Sequence, residues 1–192
     1  MSPDEAFEQL MNGHQRFLTG RQQSNFNLET ATSNTQVQGQ NPLASVLTCS
    51  DSRAIPAFIF DMSFGDIFVV KTAGAIATET QIASLEFAVA QLNCPLIVVM
   101  GHTMCGAIGA TMQHLEGHSP TSPNLLHLVE HISHLIEEQA DDTTKAVQSS
   151  TIQTAKRLTN HSDIIARAVA NGEVKIVSCI YDLTTGQLNF LE

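Results

Sequence analysis

Pro95-Leu-Ile-Val-Val-Met100 is the segment that most constrains this chain, because it leaves no polar face for water. A strand of that kind has to be covered on both sides. Glycines and polar residues follow it, and a helical pattern runs from about Ala107 to Leu115. Ala44–Thr48 and Ile67–Lys71 are two further strand candidates. Between them and the central run, Ile82, Leu85, Phe87, Val89 and Leu92 recur at helical spacing. Strand–helix–strand alternation with continuously apolar strands specifies an α/β fold, a central mostly parallel sheet flanked by helices.

The remaining elements follow from local signals. Ser2-Pro3-Asp4-Glu5 has the features of a helix start, with Ser2 as cap, proline at the first helical position and Glu5 completing a capping box. Phe7, Leu10, Met11, Phe17 and Leu18 form one apolar stripe, and Gly20 stops the helix. That stripe needs cover, from its own domain or from a partner subunit. Residues 21–41, rich in Gln, Asn, Thr and Ser, are expected to be an extended connector. After the turn Pro120-Thr-Ser-Pro123, a helix is expected from Asn124 to Glu138, a polar loop over Asp141–Ser150 and one more helix over Thr151–Ala170. Val174–Tyr181 and Gln187–Leu191 close the chain as a hairpin around Thr185-Gly186. The expected organisation is one domain over 1–192, with a helix and arm at 1–41 and an α/β core at 42–192.

Nine Lys+Arg against nineteen Asp+Glu give a formal net charge of −10. A nucleic acid or an anionic membrane surface needs a positive field, so neither is expected as a partner. No apolar stretch approaches the roughly 20 residues of a membrane span. The acidic, polar start MSPDEAFEQL is unlike a secretory signal, so a cytoplasmic location is expected. In a reducing compartment, the four cysteines would be metal ligands, nucleophiles or small buried groups rather than disulfide partners.

Two segments concentrate reactive side chains, each at the carboxyl end of an expected strand. One is Cys49-Ser-Asp51-Ser-Arg53 and the other Gly101-His102-Thr-Met-Cys105-Gly106. Open α/β sheets bind ligands at that edge, so the two segments are expected to converge. If the chain stays extended after Cys49, alternation puts Cys49, Asp51 and Arg53 on one side. Two sulfurs and an imidazole suit zinc, and Cys49, His102 and Cys105 stop one ligand short of a closed structural site. A metal ion with an open position can make a hydroxide nucleophile near neutral pH. Asp51 could take that fourth position, or be held off the metal by the fork of Arg53. The other readings are inert core cysteines with a helix-capping histidine, or a purely structural metal. Cys94 and Cys179 lack nearby ligand partners and are read as small buried hydrophobes.

The paired motifs Cys49-Ser-Asp-Ser-Arg53 and Gly101-His-Thr-Met-Cys-Gly106 resemble the signature of the β-class carbonic anhydrases. The likeness extends to Ser2-Pro-Asp-Glu-Ala6, Gln15-Arg-Phe17, Phe60-Asp61, Gly65-Asp-Ile-Phe-Val-Val70 and Tyr181-Asp-Leu-Thr-Thr-Gly186. It implies one zinc ion per subunit on Cys49, His102 and Cys105, with Asp51 as a fourth ligand in a closed resting form. It implies Asp51 and Arg53 as the catalytic dyad. Gln40, Phe68, Phe87 and Gly106 match substrate-pocket positions, Phe87 standing where many members have tyrosine. Two departures are Lys71, where the family usually carries arginine, and Ala75, where it usually carries asparagine; neither is a metal ligand, so altered loop support rather than lost chemistry is expected. The resemblance further implies a homodimer or higher homo-oligomer, with the N-terminal helix packing on a partner subunit.

By the same resemblance the expected activity is reversible hydration of CO2 to bicarbonate and a proton, by hydroxide on zinc. Rival readings are a COS or CS2 hydrolase using the same site, a non-catalytic zinc-stabilised assembly subunit, and a redox thiol protein, which would lack a Cys-x-x-Cys. His114, His118 and His134 are candidate proton relays, and His127, His131 and His134 share helical spacing; solvated faces are the expectation for all of them.

Overall fold

The computed structural model describes residues 1–24, 26–32, 39–136 and 142–191. Its centre is a five-stranded sheet: β1 (Ala44–Cys49), β2 (Ile67–Thr72), β3 (Leu96–His102), β4 (Lys175–Tyr181) and β5 (Leu188–Leu191), in the order β2-β1-β3-β4-β5. The first four are parallel and β5 returns antiparallel to β4. Every residue of β3 is buried, as its unbroken apolar run requires.

The helices among the described residues are α1 (Pro3–Leu18), α2 (Leu28–Ala31), α3 (Pro56–Ile59), α4 (Glu79–Leu92), α5 (Gly106–Leu115), α6 (Pro123–Ser133), α7 (Thr143–Asn160) and α8 (Asp163–Ala170). None is long and apolar enough to cross a membrane. Alternate strand residues sort the core into two layers. Val46, Leu96, Val98, Met100 and Cys179 meet Ala6 and Leu10 of α1 and Phe60 on one face. Leu47, Ile97 and Val99 meet Leu85, Leu158 and Ile165 of α4, α7 and α8 on the other. A third cluster, holding Cys49, Cys105, Ile108, Ile132 and Val147, extends that second face toward the carboxyl ends of the strands.

Ser2 and Glu5 form the expected capping box. Within the chain the apolar stripe of α1 is covered in part: Leu10 is fully buried, Phe7, Met11 and Phe17 pack half-buried on the first-face cluster, and Leu18 is exposed. Gly13 lets the helix close on the main chain at Phe60, where any Cβ would meet the carbonyl.

Four expectations are corrected. Residues 143–150, expected as loop, are the first half of α7, which Asp142 caps by accepting from the Lys145 N–H. Their polarity misleads because Ser149, Ser150 and Thr151 are small enough to bury against the sheet; beside them, Gly101 leaves the space that Thr151, Val147 and Ile180 fill. The single helix expected over 151–170 is two, broken at His161 where Ser162 caps α8. The connector 21–41 contains the helical turn α2, capped by Asn27. The helix expected from Asn124 to Glu138 ends at Ser133, with 134–136 outside it; Glu137 and Glu138 lie outside the described residues.

Candidate metal centre

Thr48 of β1 lies level with Met100 of β3, so the two chains leave the sheet side by side, at Cys49 and at His102. Met104 then turns through a left-handed conformation (φ 56°) that brings Cys105 back as the residue preceding α5. The Cys49 and Cys105 sulfurs lie 3.9 Å apart, and with a His102 nitrogen they form a buried group within 4.8 Å of one another. Two thiolates at tetrahedral zinc, with Zn–S near 2.3 Å, lie about 3.8 Å apart. Among the described residues this is the one such group of three or more His, Cys, Asp or Glu side chains. The histidines of α6 do not form another.

His102 Nδ1 faces the Thr103 carbonyl at 2.9 Å. A carbonyl can only accept, so Nδ1 carries the proton and Nε2 keeps its lone pair. That Nε2 is buried and has no hydrogen-bond partner, so it caps no helix and could serve as a metal ligand. Thr103 is itself fixed: its N–H donates to Tyr181 O and its Oγ1 accepts from the Leu183 N–H. The ring is therefore aimed by the β4–β5 turn.

The Cys49 sulfur accepts from the backbone N–H groups of Asp51 and Gly74, both at 3.4 Å. Its pKa falls to about 4, chiefly because the Cys105 thiol donates to it, with His102 and those two amides adding to the effect against burial. The Cys105 pKa rises because it donates that hydrogen bond to Cys49 and is itself buried. The sulfur pair thus already favours a thiolate, the form a metal needs. Burial pushes the His102 pKa down, but the neighbouring Cys49 sulfur, the Thr103 carbonyl and the Asp51 charge raise it overall.

Beside this group the chain does not stay extended. Asp51 to Ala54 form a turn in which Ala54 N–H donates to Asp51 O, and Arg53 N–H donates to Asp51 Oδ1 at 2.9 Å. The turn, rather than strand alternation, gathers the dyad. Arg53 Nε and Nη2 then donate to the two carboxylate oxygens at 2.9 and 2.7 Å. This grip holds the Asp51 pKa well below the usual carboxylate range. Asp51 Oδ2 stands 3.9 Å from His102 Nε2.

The structure brings together Cys49, His102, Cys105, Asp51 and Arg53. Gly106 opens α5 next to Cys105, and a Cβ there would meet nothing. Gln40 is exposed. Phe68 and Phe87 meet each other, with ring centroids 6.3 Å apart. Phe68 pairs with Ser45, at the far end of the ladder from Thr72 and Cys49; four residues of strand are about 13 Å. Sequence reasoning missed the Gly74 amide. Gly74 adopts φ 75° under Ile132, and a glycine just after a strand is the signal that could have found it. Cys94 and Cys179 are buried and free, as expected.

A family model described as carbonic anhydrase matches residues 44–188. Carbonic anhydrase 2 of Mycobacterium tuberculosis is 32% identical over 190 residues, covering 97% of this chain and 91% of that protein. The carbonic anhydrase of Mycolicibacterium smegmatis is 34% identical over 194 residues, covering 97% and 92%. Among solved structures, the Coccomyxa β-carbonic anhydrase in complex with acetazolamide superposes with a TM-score of 0.69 at 26% identity, over 85% of this chain and 78% of that one.

Proposed function

The chain belongs to the carbonic anhydrase family, in its β class, and is a carbonate dehydratase; on that premise we propose that it hydrates CO2 reversibly to bicarbonate at one zinc ion held by Cys49, His102 and Cys105. The observation that carries the reading is the buried cluster of two sulfurs and a partnerless imidazole nitrogen, with an ionised carboxylate beside it. Bound there, zinc would supply the Lewis acidity that makes water a nucleophile near neutral pH.

The protein's own groups do the rest. Asp51, gripped on both oxygens by Arg53, stays anionic and off the ligand cluster. Its carboxylate accepts the hydrogen bond of the attacking O–H, so that the oxygen lone pair faces the CO2 carbon. The open space at Gly106 leaves room for the substrate, and the N-terminus of α5 favours the anionic product. Gln40 is assigned to orient a substrate oxygen. Phe68 and Phe87 sit too far along β2 and α4 to line the site of their own chain, so we assign them to the apolar wall of a second subunit's site. The working form is then a homodimer or larger homo-oligomer.

The test is elemental analysis together with stopped-flow CO2 hydration on wild type and Asp51→Ala. We expect one zinc per chain in both, and hydration lost by about two orders of magnitude or more in the variant. Full turnover in D51A, or a wild type without zinc, overturns the reading. Parallel assays with COS and CS2 separate it from the hydrolase alternative, which gains if either outpaces CO2.

A further inference from the structure

Lys71 lies on the edge strand β2, level with Thr48 of β1. Its Nζ donates to two main-chain carbonyls of the neighbouring loop, Asp51 O at 3.1 Å and Ala54 O at 2.8 Å. Those residues are the first and last of the turn that carries the dyad, and Asp51 O also accepts the Ala54 N–H that closes it. One ammonium group therefore spans both ends of the turn.

The turn is also tied at its two ends, where the Ser50 N–H donates to Thr72 O and the Ala54 side chain is fully buried in the first-face cluster. Its internal bonds, from Arg53 and Ala54 to Asp51, fix its shape but not its position relative to the sheet. The Arg53 side chain is 54% exposed, and an exposed ion pair holds a loop weakly. The Asp51 N–H to the Cys49 sulfur restrains only the first residue. Lys71 differs in holding the Asp51 and Ala54 carbonyls at once from a backbone locked in the β1–β2 ladder, so its ammonium references both ends of the turn to a rigid element. An ammonium has three donors on a flexible stem and can serve two carbonyls that a single neutral donor cannot.

We propose that Lys71 is a positioning residue for the hydration reaction: by tying the Asp51 and Ala54 carbonyls to β2 it sets where the Asp51 carboxylate stands relative to the Cys49–His102–Cys105 centre. This rests on the role given to Asp51 above. The occupant of this position has to reach both carbonyls with charged donors. Arginine satisfies that requirement, and methionine, of similar length, does not.

The experiment compares full-length, zinc-loaded wild type with Lys71→Met, Lys71→Arg and Asp51→Ala. Each is followed by steady-state CO2 hydration, zinc content, melting temperature and amide hydrogen exchange at Ala54. K71M is expected to keep its zinc and melting temperature while kcat/KM falls about 10- to 100-fold, the range for residues that orient a metal site's active groups. Exchange at Ala54 speeds up, and K71R recovers most of both losses. Unchanged kcat/KM in K71M overturns the proposal, as does a loss with no change in exchange at Ala54. A loss that tracks zinc content or melting temperature, and that K71R shares, makes Lys71 merely structural and overturns it too. Wild-type turnover in D51A points instead to failure of the underlying reading.

Discussion

Asp51 and Arg53 lie two positions apart, and their pairing is local chemistry. A carboxylate whose Oδ1 takes both the backbone N–H and the Nε of the same arginine has little freedom left. The guanidinium fork does this because it is planar and bidentate, which no ammonium can copy. Arg53→Lys should therefore keep the local charge and the zinc but free one carboxylate oxygen. A loss of roughly tenfold in kcat/KM for CO2 is expected, by analogy with other residues that orient a metal site's active groups. Steady-state hydration with metal analysis checks it, and a fully active R53K would mean that charge alone matters. His102 makes the same point: its tautomer is set by a neighbour's carbonyl, which motif spacing cannot show.

Single elements are held by ties of this kind as much as by burial. Arg16 of α1 pairs with Asp61 beyond α3, and the Asp61 carboxylate also accepts from the N–H groups of Gln23 and Ser24. Burial opposes ionisation of Asp61, but the Ser24 amide, Arg16 and the Gln23 amide outweigh it and bring its pKa down to about 2. A depressed carboxylate stabilises the fold above the unfolded pKa near 4, and that contribution disappears as pH falls through about 2. Asp61→Asn is expected to cost about 2 kcal/mol at pH 7 and to flatten the loss of stability between about pH 4 and 2. Urea unfolding at a series of pH values reads both, and an unchanged acid limb would remove Asp61 from this role. The first half of α7 shows where element reading fails. Thr143 to Ser150 carry few apolar side chains, yet five residues from Ala146 to Thr154 other than Val147 are buried without being hydrophobic anchors. Small polar residues bury cheaply when a partner such as the Leu135 carbonyl, accepting from Ser149 Oγ, is at hand.

Across the whole molecule the centre belongs to the core. Cys49 and Cys105 are members of the third apolar cluster, with Ile108, Ile132 and Val147 around them. A metal that binds only the folded chain stabilises it by mass action. Stripping zinc with a strong chelator is thus expected to lower the melting temperature by several degrees, reversibly on adding zinc; no shift would mean the centre holds no metal. The strands, the closing hairpin and the residues of the two motifs were legible in the amino-acid order, because apolar runs, turn glycines and ligand chemistry are properties of neighbouring residues. Tertiary structure alone decided the rest. Cys49 and Cys105, 56 positions apart, meet because of the register of β1 on β3 and the left-handed turn at Met104. The register of β2 on β1 sets Phe68 level with Ser45 and Lys71 level with Thr48, from where the Lys71 ammonium reaches the Asp51 turn. Contacts of that sort depend on where strands are placed against one another, and no local pattern encodes that placement.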